Sequence, residues 1–294
     1  MTRSDTVFLT STLLAAALQV GPNPTLPYEI DPHDQLRNRP DRVADSDPAN
    51  PTSAWLADCL DQLETDPSRA HTKAQIRLTE ITSPGYSADY VIAKHCLGLA
   101  SVELGLWQDA WTAFQDAKNG SPPDDTRARA RFGTMAGNAA IADGKLDHAV
   151  WLLDYAVQDA RTAKSATLEA IAATDKARAL VALEREEEAL QSLEDATRLE
   201  PEMSEGWLLK ATLLRRMDRL DGAQLAIERA AGIAPLDSEI GLEAGVIAVL
   251  SGREGAARQS WQSVIDTQPD SLAAQTAKGY LEQIGPASSE VPNP

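Results

Sequence analysis

Residues 245–269, GVIAVLSGREGAARQSWQSVIDTQP, decide the fold. Gly245 opens the stretch and Gly252 interrupts it. Ala257 follows, with the bulky Trp261 four residues on, and Pro269 closes it. The same small, large and stop residues recur upstream. Ala110, Ala149, Ala189 and Ala223 each stand four residues before Phe114, Leu153, Leu193 and Ile227. Twelve residues before the five alanines lie Gly98, Gly137, Ala177, Ala211 and Gly245. Successive alanines are 39, 40, 34 and 34 residues apart. Such a period, with small residues at two fixed points, marks antiparallel helix pairs stacked in a linear array. Close packing is the cause: where two helices cross, Gly or Ala removes bulk and lets the partner's large side chain insert.

Turn and stop residues extend the pattern outward. Gly105, Gly144, Asp218 and Gly252 fill one turn position, where the repeat around Ala189 carries Glu184. Pro122, Pro201, Pro235 and Pro269 end second helices, since proline cannot continue a helix. The pair around Ala149 has no such proline, and only Arg161–Ser165 hints at a break. Residues 51–90 read as a degenerate N-terminal pair. Thr52-Ser53 can cap its first helix, which runs to about Glu64, and Asp66-Pro67-Ser68 can start its second. Residues 91–284 hold the clear pairs and end in a capping helix, Leu272–Ile284. Residues 21–50 contain Pro22, Pro24, Pro27, Pro32, Pro40 and Pro48 among five aspartates and read as an extended linker. Residues 285–294 read as a disordered tail.

Near the start, Val7–Val20 is apolar apart from Thr10, Ser11, Thr12 and Gln19. It is shorter than the ~20 apolar residues of a membrane span. Its length suits the core of an export signal, with Ala15-Ala16-Ala17 as a cleavage-type site, so residues 1–20 read as a signal peptide. The other reading is a short amphipathic helix packed on the domain. The formal net charge of −17 and pI near 4.6 disfavour nucleic acid, whose phosphates need Lys and Arg, and an anionic membrane surface. Solubility is the ordinary use of such charge.

These repeats resemble the tetratricopeptide repeat. Leu97-Gly98…Gly105-Leu106-Trp107…Ala110-x3-Phe114…Ala117…Pro122 follows most of that pattern, and Trp207…Ala211…Leu220…Ala223-x3-Ile227…Ala230…Pro235 follows it again. The repeat Ala177…Ala189-x3-Leu193…Ala196…Pro201 departs at Glu184 and Glu186. The likeness covers about 91–271 and, weakly, the residues from 51. It implies an all-α, right-handed superhelical solenoid of about five to six helix pairs. It also implies a protein or peptide partner held along a concave groove of first helices.

The groove positions implied by the resemblance are His95, Leu99, Val102, Arg131, Thr134, Asn138, Thr174, Asp175, Arg178, Leu208, Thr212, Arg215, Arg216, Leu242 and Val246. Arg131, Asn138, Arg178, Thr212, Arg215 and Arg216 form the candidate ligand-binding set. The family's clamp for C-terminal carboxylates is absent, because Leu99 and Met135 stand where it needs polar groups. Arg forks suit carboxylates, so an extended acidic segment is one expected ligand. The other reading is solvated arginines paired with neighbouring acids.

Cys59 and Cys96 sit on first helices of adjacent pairs. A disulfide suits an exported chain, and two buried thiols suit either compartment. With His71 and His95 they match no zinc spacing, so no metal and no cofactor are expected. No nucleophile elbow, phosphate loop or metalloprotease motif occurs, so a non-enzyme is expected. Trp107, Trp207 and Trp261 fall on repeat core positions, and Trp111 and Trp151 on outer parts of second helices. The leading reading is a bacterial cell-envelope scaffold, periplasmic or otherwise exported. The alternative is a cytoplasmic adaptor or regulatory subunit.

Overall fold

The computed structural model describes residues 51–82 and 85–285, and only the backbone from Pro51 to Ser53. The expected signal peptide (1–20), the linker (21–50) and residues 286–294 of the tail lie outside the described residues, as do the Thr52 and Ser53 side chains. All thirteen elements among the described residues are α-helices, divided into two compact units between Arg185 and Glu186.

The first unit holds α1 (Pro51–Thr65), α2 (Pro67–Glu80), α3 (Ala88–Glu103), α4 (Trp107–Gly120), α5 (Thr126–Ala142), α6 (Leu146–Thr162) and α7 (Ala166–Ala182). The second holds α8 (Glu186–Leu199), α9 (Ser204–Arg216), α10 (Leu220–Ile233), α11 (Ser238–Leu250), α12 (Glu254–Thr267) and α13 (Leu272–Gln283). Within each unit, consecutive helices pack on one another.

Short polar side chains start these helices. Asp66 accepts from the Arg69 N–H at 3.0 Å, with Pro67 in the first turn. Asp125 and Ser271 do the same for Ala128 and Ala274, each at 3.0 Å. The helix α1 begins at Pro51, so Thr52 and Ser53 fall inside it rather than ahead of it.

One turn recurs at the ends of first helices. Gly105, Gly144 and Gly252 take φ of 69°, 70° and 74°. Each of their N–H groups reaches the carbonyl three residues back, and the next N–H reaches the carbonyl five residues back, as in Gly252→Val249 and Arg253→Ala248. Both otherwise orphaned carbonyls are thereby satisfied. Glu184 and Asp218 hold the same turn at φ 60° and 58°, and Lys164 makes it between α6 and α7 at φ 52°. A side chain there costs about 1–2 kcal/mol relative to the right-handed region.

The small residues of the repeat lie where second helices insert. A Cβ on Gly98 would stand 2.6 Å from Cδ1 of Phe114, and one on Gly137 would stand 2.7 Å from Cδ2 of Leu153. A Cβ on Gly245 would stand 2.5 Å from Cε2 of Trp261 and nearer still to its Nε1. Real Cβ atoms do not approach so closely. Phe114, Leu153, Ile227 and Trp261 are all buried, as is Ala211, the small residue paired with Ile227 in the repeat.

Candidate binding surface

In the first unit, α3, α5 and α7 carry the expected groove residues. Asp175 on α7 is 4% exposed and accepts from Asn138 Nδ2 at 2.8 Å and from the Arg178 guanidinium. Burying that carboxylate is tolerable because a guanidinium and an amide both donate to it. Thr134 and Thr174 turn inward, donating to the Ala130 and Ala170 carbonyls at 3.0 and 2.8 Å. Leu99 and Val102 are half-buried.

His95 is half-buried, with Phe132 edge-on at 5.2 Å and Phe114 at 6.4 Å. Burial, and then the charge of Arg131, push its pKa down from 6.5 to about 4, so the imidazole is neutral at pH 7. Arg131 itself is exposed, and no carboxylate among the described residues forms an ion pair with it. Asn138 is exposed two turns along the same helix.

In the second unit, Arg215 is 5% exposed and grips Glu243 on α11 with Nε and Nη2, at 2.6 and 3.3 Å. Arg216 meets Glu186 on α8 at 3.4 Å, and Thr212 is half-buried between them in sequence. Leu208 and Leu242 are half-buried and Val246 is buried.

The six candidate residues thus divide three and three between the units. The structure brings Asn138 and Arg178 together through Asp175. It engages Arg178, Arg215 and Arg216 with acids and leaves Arg131 exposed. Glu243 was not singled out in the sequence, and Glu186 only as a departure from the repeat pattern, not as a partner for an arginine. No periodicity marks an acid that lies 28 or 30 residues from its partner. Among the described residues, no group of three or more His, Cys, Asp or Glu is placed to hold a metal ion. No described helix is long and apolar enough to cross a membrane. Cys59 on α1 and Cys96 on α3 face each other in disulfide geometry, with Cα atoms 6.3 Å apart.

By sequence, the chain matches no family model and no curated protein. By structure it is similar to PilW, described as a widely conserved type IV pilus biogenesis factor. The TM-score is 0.61 at 15% identity, over 77% of this chain and 98% of that one. It is also similar to PilF of Pseudomonas aeruginosa, with a TM-score of 0.59 at 16% identity over 78% and 97%. A third likeness is to Acl4, an assembly chaperone of RpL4, with a TM-score of 0.57 at 16% identity over 79% and 96%. The fold is of the tetratricopeptide-repeat type. In tetratricopeptide terms, α3, α5, α7, α9 and α11 are first helices, and the candidate set lies on them.

Proposed function

We propose that the protein is a non-enzymatic interaction scaffold that takes a peptide or protein segment on its first-helix faces. On the first unit Arg131, Asn138 and Arg178 are the contact residues, and on the second unit Thr212 and Arg216 form a separate candidate set. Arg215, buried against Glu243, ties α9 to α11 and is not itself a contact residue. Arg131 carries this reading. It is an exposed guanidinium with no ion pair among the described residues, in a chain whose net charge is −17. Asn138 lies about 10 Å along the same helix, which suits an extended segment of three or four residues. A guanidinium fork takes a carboxylate with two parallel hydrogen bonds.

We also place the protein in the bacterial cell envelope. The apolar run Val7–Val20 with Ala15-Ala16-Ala17 supports export. The facing of Cys59 and Cys96 supports an oxidising compartment, where the bond between them would persist.

A photo-crosslinking residue at Asn138, introduced in the native host, should capture a discrete partner. Arg131→Glu should abolish that capture while leaving the circular dichroism unchanged. An identical capture profile from the Arg131→Glu protein would overturn the groove assignment. Protein that keeps Met1 and both free thiols would overturn the location and leave the scaffold reading standing.

A further inference from the structure

The second helices of the first unit carry a feature that the groove does not use. Trp111 on α4 packs edge-on against His148 on α6, with ring centres 4.9 Å apart. His148 stacks on Trp151 at 5.5 Å with planes only 14° apart, and Trp151 meets Tyr155 edge-on at 4.8 Å. Four rings thus form one continuous ladder. Spacings of three and four residues put His148, Trp151 and Tyr155 on one stripe of α6. Trp111 is held in place by its Nε1, which donates at 3.1 Å to Asp143, the residue that ends α5.

The ladder ends on a cation. Lys118 Nζ lies 5.2 Å from the Tyr155 ring centre and 2.9 Å from Asp159 Oδ2, with the whole residue 7% exposed. Ring and carboxylate together hold an ammonium there. One turn away the same combination is repeated without a cation. Trp151 is 47% exposed and Tyr155 46% exposed. Asp147, four residues before Trp151 and so its neighbour on the helix surface, is exposed with no ion pair among the described residues. Asp154, three residues after Trp151, meets Lys176 at 2.6 Å and still has a side chain 46% exposed.

We propose that this ladder is a docking surface for a cationic protein segment. An arginine of that segment lies over the Trp151 indole and pairs with Asp147. Arginine over Trp is the most favourable cation–π pair, and its planar fork can stack and bind a carboxylate at once. The rings are already packed against each other, so little side-chain freedom is lost on binding. The chain's charge of −17 steers a basic partner toward it. The surface is separate from the first-helix faces and would serve a second partner of opposite charge.

The test is calorimetric titration of the full chain with the octapeptide Ac-GRGRGRGR-NH2, alongside Ac-GEGEGEGE-NH2. The arginine peptide should bind, shift the Trp emission and weaken with added salt. Trp151→Ala should reduce its affinity about ten-fold, Trp151→Phe should restore most of it, and Asp147→Asn should reduce it about three-fold. Asp270→Asn, an exposed acid in the other unit, should leave it unchanged. The proposal is overturned if the parent does not bind, if the glutamate peptide binds as well, or if Asp270→Asn weakens binding as much as Asp147→Asn. It is also overturned if the patch is occupied by a second copy, seen as dimerisation that Trp151→Ala abolishes.

Discussion

Adding one methyl group at Gly245 tests the packing rule on which the array is built. The Gly245→Ala Cβ would sit 2.5 Å from Cε2 of Trp261, where ordinary contact needs about 3.5 Å or more. The indole would have to retreat by about 1 Å. It cannot do so freely. It is fully buried, its Nε1 donates to the Leu242 carbonyl at 3.1 Å, and Tyr280 packs on it at 5.1 Å. Overpacking costs about 1–3 kcal/mol, and losing the indole hydrogen bond adds about 1 kcal/mol. Against this, Ala in a helix interior gains about 1 kcal/mol over Gly. The net expectation is a loss of about 1–3 kcal/mol.

The control is Gly279→Ala in α13, also a helical glycine, where a new Cβ meets nothing within 4 Å. That change should stabilise by up to about 1 kcal/mol. Urea unfolding of the two variants, followed by circular dichroism, should therefore show midpoints moving in opposite directions. Combining Gly245→Ala with Trp261→Leu should cost less than the sum of the two single changes, because the smaller side chain leaves room for the methyl. A Gly245→Ala protein more stable than the parent would refute the close crossing.

Three other outcomes follow from the same structure. Arg215→Ala should cost about 3–5 kcal/mol, since it strands Glu243 with its side chain 12% exposed, and adding Glu243→Leu should recover much of that loss in the same urea assay. His95 binds its proton more weakly in the folded chain than in the unfolded one. Stability should therefore fall as pH drops from about 6.5 to about 4, by up to about 3 kcal/mol, and His95→Phe should flatten that slope in thermal melts at stepped pH. With Cys59 and Cys96 separated by 37 positions in sequence, reduction of a formed bond should cost about 3–4 kcal/mol in the first unit, and non-reducing peptide mapping should recover the linked pair.

The crossings were legible in the sequence because they depend on volume at fixed spacing. Gly98 with Phe114 and Gly245 with Trp261 need no knowledge of the rest of the chain. The turns were partly legible: Gly105, Gly144 and Gly252 stand out, Asp218 and Glu184 are placed there only by the repeat's register, and Lys164 takes the same backbone inside a stretch, Arg161–Ser165, that shows no more than a break. The state of the arginines was not legible. Whether Arg215 reaches solvent or Glu243 depends on how α9 and α11 are rotated, and that rotation is set by packing on α10 and α12. The ring ladder was half legible. Its α6 members share a helical stripe, but Trp111 joins them only through the α4–α6 arrangement.

The pairing of hollow and knob differs from one hairpin to the next: Gly98 receives a phenyl ring, Gly137 an isobutyl group and Gly245 an indole. Hairpins with nearly the same backbone invite a folding chain to mate a helix with the wrong neighbour, a known hazard of repeated architectures. Here a mistaken match carries a steric signature. Trp261 laid against Ala211 would meet a methyl where only hydrogen fits, and Ile227 laid against Gly245 would leave a void. Unequal tooth sizes on otherwise similar gears thus favour one assembly order, and the chain encodes its own sorting without a dedicated contact.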